Sequence, residues 1–265
     1  MSHLNHPLLN IAEKAAIEAG RIILRGLDRL DRLTIDKKSK NDFVTDIDRQ
    51  SEAFIIQTIQ ENYPDHTILG EEFGEIKGQN ETVWIIDPLD GTSNFIHGVP
   101  HFAVSIGIQI QGRLEAGVIY DPIRNEIFKA VKGRGAQLNQ RKIRVSAVEA
   151  LSEALLGTGF PYKQMEHLDR FMGMMKELTP ISSGIRRAGS AALDLAYVAA
   201  GRYDGFWEYG LSPWDLAAGI LLIREAGGRL SDFQGGEDYY QKGQIVAGNP
   251  KVFKELVKVV QRLAR

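Results

Sequence analysis

WIIDPLDGTSNF, residues 84–95, opens with apolar residues that read as a buried strand. Two aspartates follow, Asp87 and Asp90, three positions apart around Pro88 and Leu89. Asp-Pro is a common turn start, so the stretch predicts a tight turn after the strand. Such a turn brings two carboxylates together, and one of them must take up a proton unless a cation stands between them. A hard divalent cation removes the conflict. Mg²⁺ takes oxygen ligands at about 2.0–2.1 Å and keeps several waters. The Leu89 carbonyl offers a further oxygen. Gly91, Thr92 and Ser93 then supply backbone N–H groups at a predicted helix start, an arrangement that receives phosphate, and Thr92 adds a hydroxyl. Cation ligands beside an anion cradle point to metal-assisted attack on a phosphate ester.

The rest of the chain sets bounds on this reading. Its 265 residues suit one large domain or two closely joined halves. Hydrophobic residues make up 43% and charged residues 25%, the ordinary balance of a globular protein. A net charge of −2 carries no basic excess that would mark nucleic acid as the main ligand. Cysteine is absent, which excludes disulfides, thiolate metal sites and a cysteine nucleophile, so oxygen or imidazole must hold any metal. The first twenty residues lack a signal-peptide layout, and no stretch approaches the roughly 18 apolar residues of a membrane span. A cytoplasmic protein is the expectation.

Residues 8–27 carry apolar side chains at helical spacing. DKKSKND, residues 36–42, reads as a loop or hairpin tip. A second helix follows, with Thr45 or Asp46 as its N-cap and Pro64 just beyond its end. HTILGEE, WIID, FAVSIGIQI, GRLEAGVIYDP and NEIFKAV read as strands, and GRGAQLNQRKIRVS as turn chemistry that ends this sheet. From about residue 150 the pattern changes to strand, helix over 163–178, short strand, helix, strand. SPWDLAAGILLIREAGG is a helix with Ser212 at the N-cap, Pro213 at its first position and Gly227-Gly228 as its stop. Strands alternating with helices in both halves predict packed α/β layers.

Other acidic residues sit at element ends, and each has a bland alternative. Asp215 and Asp48 stand in the first turns of helices, where capping explains an acid equally well. Glu71-Glu72 alone reads as a solvated loop. Arg186-Arg187 is either an interface or phosphate-side charge or a contact for a macromolecule.

Together the motifs resemble the inositol monophosphatase family. WIIDPLDGTSNF and PWDLAAGILLIREAGG resemble its two signatures, and GEE at 70–72 and DFVTDID at 42–48 match the family blocks in order and spacing. The likeness runs from about residue 6 to 258. RRAGSAALDLAYVAAGRYDGFWE and GQIVAGNP are similar to the bacterial SuhB-type members. The resemblance implies a layered α/β/α/β/α sugar-phosphatase fold, of the inositol monophosphatase and fructose-1,6-bisphosphatase kind. It spans one domain over 1–265, with subdomains of about 1–147 and 148–265 and the site between them. It implies two or three Mg²⁺ ions held by Glu71, Asp87, the Leu89 carbonyl, Asp90 and Asp215. Catalysis falls to Thr92 and Asp48, which orient and deprotonate water, together with Glu71. Phosphate falls to Gly91, Thr92 and Ser93 and the polyol side to Gly189, Ser190, Ala191 and Glu208, with Asp90 and Asp215 also counted among the substrate-binding residues. Asp46 and Glu72 stand near the site. Gly98 departs from the family, which often has a basic residue there; His97 and His101 read as structural or surface residues.

The activity implied is hydrolysis of inositol 1-phosphate, inhibited by lithium, in a homodimer. Related monoesterases of the superfamily act on 3′-phosphoadenosine 5′-phosphate, fructose 1,6-bisphosphate or histidinol phosphate, and the metal core alone does not separate them. A different class of function also follows from the likeness: a partner of RNA polymerase and Nus factors in ribosomal RNA antitermination.

Overall fold

The computed structural model describes residues 4–32, 34–39 and 42–264. Pro7 starts α1 (Pro7–Leu27), whose buried face is mostly alanine and glycine and therefore lies close to its neighbours. β1 (Ile35–Ser39) and β2 (Asp42–Thr45) pair antiparallel, so residues 36–39 and 42 of the polar stretch lie in strands rather than in a loop; positions 40 and 41, where the expected tip would fall, lie outside the described residues. Thr45 caps α2 (Asp46–Asn62), its hydroxyl accepting from the Ile47 and Asp48 N–H groups.

β3 (Thr67–Gly70), β4 (Gly74–Ile76) and β5 (Thr82–Asp90) follow, then the short α3 (Thr92–Ile96). β6 (Ala103–Ile110), β7 (Arg113–Asp121), β8 (Glu126–Val131), β9 (Gly135–Leu138) and β10 (Arg141–Ile143) form a meander. The resulting eight-stranded sheet has the order β10-β9-β8-β7-β6-β5-β3-β4. The segment read as turn chemistry after residue 133 contributes two more strands, and β10 is the sheet edge it was expected to provide.

β11 (Leu155–Thr158), α4 (Leu168–Leu178), β12 (Gly184–Arg186), α5 (Ala191–Ala199), β13 (Gly205–Tyr209), α6 (Pro213–Glu225), β14 (Arg229–Ser231), α7 (Tyr239–Lys242), β15 (Gln244–Gly248) and α8 (Pro250–Ala264) complete the chain. A 3₁₀ turn occupies Met165–His167, so α4 begins at Leu168 rather than at 163. The second sheet has the order β12-β11-β13-β15-β14.

α1 and α2 cover one face of the first sheet, α5 and α6 lie between the sheets, and α8 with α4 covers the outer face of the second. This is the α/β/α/β/α layering. Three apolar cores match it: Trp84, Ile106 and Ile55 under α1 and α2; Leu195, Leu216 and Phe206 between the sheets; Phe171, Trp207 and Leu256 outside. Each such large side chain taken fully from water contributes about 1.5–3 kcal/mol. Among the described residues no helix is long and apolar enough to cross a membrane.

Candidate active site

The aspartate pair is not on a turn after a strand, as the sequence suggested. β5 continues through Asp90 and carries a bulge. Asp87 stands opposite Ser105 and Asp90 opposite Ala103, so three steps on β5 match two on β6. Side chains three apart on a regular strand point to opposite faces; the extra residue returns both carboxylates to one side. The Leu89 N–H donates to Asp87 Oδ1 at 3.0 Å, and Ser51 Oγ donates to the Pro88 carbonyl at 3.0 Å, which fix the bulge. Gly91 follows at φ 99°, a left-handed conformation with no room for a side chain: a Cβ there would meet the His101 carbonyl at 3.1 Å.

Asp87, Asp90 and Asp215 each present a carboxylate oxygen within 4.8 Å of the other two. Asp215 is the third residue of α6 and accepts the Ser212 N–H at 2.6 Å. The capping reading and the site reading of Asp215 therefore hold at once. Asp90 is held by the start of α5: Ser190 Oγ donates to its Oδ2 at 2.5 Å and the Ala192 N–H at 2.7 Å. Burial, and then the neighbouring carboxylates, push Asp215 up to about 7 and Asp87 well above the usual carboxylate range. Asp90 rises to about 6, mainly through burial, although Ser190 and Ala192 oppose the shift. Three crowded, desolvated carboxylates strained in this way fit an oxygen-seeking divalent cation. Asp87, Asp90 and Asp215 would hold it.

Glu71 lies outside that tight triad yet faces it, since its charge raises Asp87, Asp90 and Asp215 and also Asp48. Its N–H donates to Ile86 O at 3.2 Å, continuing the β3–β5 pairing. Glu72 meets this region through its backbone, donating its N–H to Glu52 Oε2 at 2.8 Å.

Asp48 is 1% exposed and packs beside the bulge. Thr92 Oγ1 stands 2.9 Å from Asp48 Oδ1 and 3.1 Å from the Leu89 carbonyl. The Thr45 N–H and hydroxyl donate to Asp48 Oδ2 at 2.8 and 2.5 Å. Burial raises the Asp48 carboxyl despite these bonds. Asp46 opens α2 and bonds Gln50 instead.

A cavity of about 170 Å³ opens from Asp90 and Asp215 toward Ser190, Ala191, Glu208 and Arg187. Gly189 and Lys163 line it as well. Burial, followed by the charges of Asp215 and Asp90, raises Glu208 to about 8, with Arg187 and Lys163 opposing. The Arg187 guanidinium lies 5.3 Å from the Tyr162 ring centroid, at the cavity wall. That placement supports the electrostatic reading of Arg187; Arg186 is exposed on β12.

His97 Nδ1 donates to the Ser93 carbonyl at 2.7 Å on the exposed surface, and His101 is buried and packs edge-on against Tyr197. Four residues escaped the sequence reading. Ser51 and Glu52 hold site segments from α2. Asn94 Nδ2 donates to the carbonyls of His101 at 2.7 Å and Ala188 at 2.9 Å, tying α3 to the second half. Asp194, 1% exposed, lines the cavity and is raised by burial and then by Glu208. The spacing of Ser51 and Glu52 from Asp48, three and four positions, was the available signal for that pair.

The model of the inositol monophosphatase family matches residues 4–264. The Nus factor SuhB of Pseudomonas aeruginosa is 54% identical over 260 residues, 96% of each chain. The crystal structure of extragenic suppressor protein suhB from Bartonella henselae superposes with a TM-score of 0.95 at 43% identity, over 97% of this chain and 99% of that one. An inositol monophosphatase from Anabaena (Nostoc) sp. gives 0.85 at 41% identity, over 96% and 95%.

Proposed function

We propose, from the premise that this chain belongs to the inositol monophosphatase family, that it hydrolyses phosphate monoesters with Mg²⁺ and prefers inositol 1-phosphate. The observation that carries the reading is the carboxylate triad of Asp87, Asp90 and Asp215 beside the Thr92–Asp48 pair. The same reading includes two or three ions, inhibition by lithium, a homodimer and a cytoplasmic setting.

Glu71, Asp87, the Leu89 carbonyl, Asp90 and Asp215 would hold the ions, which when bound would supply a lowered pKa for a water and positive charge to offset that on the phosphate and the leaving oxygen. The residues of the chain do the rest. Thr92 and Asp48 orient the attacking water, and Asp48 takes its proton. The N–H groups of Gly91, Thr92 and Ser93, at a helix start with no acceptor one turn back, meet phosphate oxygens. Glu208, Ser190 and the Gly189–Ala191 segment meet hydroxyls of the leaving polyol. No protein nucleophile is needed. Monoester hydrolysis calls for accelerations of up to about 10²¹, which positioning and fixed charge supply in phosphoryl transfer.

The test is phosphate release from inositol 1-phosphate, 3′-phosphoadenosine 5′-phosphate and fructose 1,6-bisphosphate, with and without Mg²⁺ and lithium. Mg²⁺-dependent, lithium-sensitive preference for inositol 1-phosphate is expected. Preference for another ester moves the substrate and keeps the mechanism; no release from any of them overturns the reading.

A second role is supported by the name of the Pseudomonas aeruginosa relative, a Nus factor. On it, the chain also contacts the transcription machinery in antitermination. Capture of elongation factors by both the native chain and Asp90→Asn is the expected result, and capture by neither removes this role.

A further inference from the structure

α2 presents one face to three separate pieces of the site. Asp48, Ser51 and Glu52 fall at positions i, i+3 and i+4, which share a helix face. All three are buried, at 1%, 0% and 0% exposure. Asp48 meets Thr92 at the start of α3. Ser51 donates to the Pro88 carbonyl inside the β5 bulge, between Asp87 and the Leu89 carbonyl. Glu52 reaches the loop after β3: its Oε2 accepts the Glu72 N–H at 2.8 Å and its Oε1 the Phe73 N–H at 2.9 Å. Those donors immediately follow Glu71. On the other side of the carboxylate, Gly70 leaves no gap, since a Cβ at that position would lie 2.0 Å from Glu52 Oε1. Glu52 is therefore locked between the residue before Glu71 and the two after it.

A buried carboxylate with two backbone N–H donors has ample reason to stay bonded, because its removal orphans both donors in a dry setting. A buried acid mid-helix is otherwise costly. The loop it holds is only three residues long, between Gly70 and Gly74, and Glu71 is its first residue, directly after the end of β3.

We propose that Glu52 and Ser51 are positioning residues of the metal centre: through the Glu71 loop and the β5 bulge, α2 sets the spacing between Glu71 and the Asp87–Leu89–Asp90 segment. Neither residue touches the ions or the substrate. The inference rests on the metal reading above.

Binding of Mn²⁺ alone, followed by the loss of its free-ion paramagnetic resonance signal, reads the spacing without turnover. Glu52→Ala should weaken Mn²⁺ binding about tenfold or more, the size typical of lost outer partners of metal ligands. Glu52→Gln, which keeps one acceptor oxygen, should fall between it and the native chain. Ser51→Ala and Gly70→Ala should each weaken binding by less than Glu52→Ala. Thr58→Ala removes a hydrogen bond from the same helix to the Phe54 carbonyl, away from the loop, and should leave Mn²⁺ binding unchanged whatever it does to Tm. Native affinity in folded Glu52→Ala overturns the proposal. If that variant does not fold, native affinity in both Glu52→Gln and Ser51→Ala overturns it. An equal loss in Thr58→Ala overturns it too, since general destabilisation then explains the effect. Absence of Mn²⁺ binding by the native chain overturns the metal reading itself.

Discussion

Thr92 and Asp48 stand 2.9 Å apart, hydroxyl to carboxylate, although 44 positions separate them in the chain. The same hydroxyl is 3.1 Å from the Leu89 carbonyl. It has one proton for two acceptors, so its orientation depends on which of them is otherwise engaged. On the proposed mechanism the two residues act as a unit. Thr92→Ala and Asp48→Asn should each lower kcat by about 10²–10⁴-fold, the usual range for positioned proton transfer. The double variant should be no slower than the worse single one. Steady-state kinetics on the three proteins decides it; independent, multiplying losses would break the pairing.

Asp90→Asn should remove turnover and leave the fold in place. An amide oxygen still accepts from Ser190 and the Ala192 N–H, the bonds that anchor α5. The lost negative charge sits within the triad. Phosphate release should fall more than about 100-fold, with the far-ultraviolet circular dichroism unchanged. Activity near the native value at saturating Mg²⁺ would count against the ligand assignment.

Metal-free stability should fall as pH rises. Asp90 titrates at about 6, Asp215 at about 7 and Glu208 at about 8 in the folded chain, against about 4 for ordinary carboxyls. The folded state therefore holds these protons more tightly than the unfolded one. The stability this confers is full below about pH 4 and is lost as pH climbs through the folded values toward 8. Scanning calorimetry with chelator should give a Tm that declines by several degrees from pH 5 to 8. The Tm gain from saturating Mg²⁺ should grow over the same window, because the cation competes with those protons. A metal-free Tm that rises with pH in this range would contradict the charge crowding.

Gly159→Ala should act on substrate choice. A Cβ at 159 would lie 1.9 Å from Glu208 Oε1 and 2.2 Å from its carboxyl carbon. The carboxyl must shift from its place in the cavity lining to admit it. KM for inositol 1-phosphate should rise about tenfold, while kcat/KM for p-nitrophenyl phosphate, which has no polyol hydroxyls, changes little. Glu208→Ala should show the same split. Equal losses on both esters would place Glu208 in general catalysis instead.

Packed α/β layers and the Asp87–Asp90 pair were legible from local pattern, whereas the five-layer order and the parts given to Asp48, Glu71 and Asp215 came from the family resemblance. Periodicity marks α1, α2 and α6, and carboxylates clustered at strand and helix ends are conspicuous. The turn at Asp87-Pro88 was misread for a physical reason: a bulge and a turn use the same residues, and only the β6 partners, Ser105 and Ala103, tell them apart. Ser51 and Glu52 were passed over because polar residues on an amphipathic helix normally face water, and their partners lie 37 and 20 positions away. Asp194 was hidden within an otherwise apolar helix for the complementary reason: nothing near it in sequence signals the cavity that it lines.

The strand order of the second sheet has a consequence for when the protein becomes competent during its synthesis. β13, which carries Glu208, is flanked on one side by β15, and β14 pairs with β15 alone, although β15 is the last strand of the chain. Asp215 precedes that strand, with the rest of α6, β14 and α7 between them, and comes more than a hundred residues after Asp87 and Asp90. The residues of the first sheet and its bulge thus leave the ribosome well before the third carboxylate of the triad. Chains truncated before β15 should fold in part and remain inert, and the site is assembled among the last of the structure to leave the tunnel.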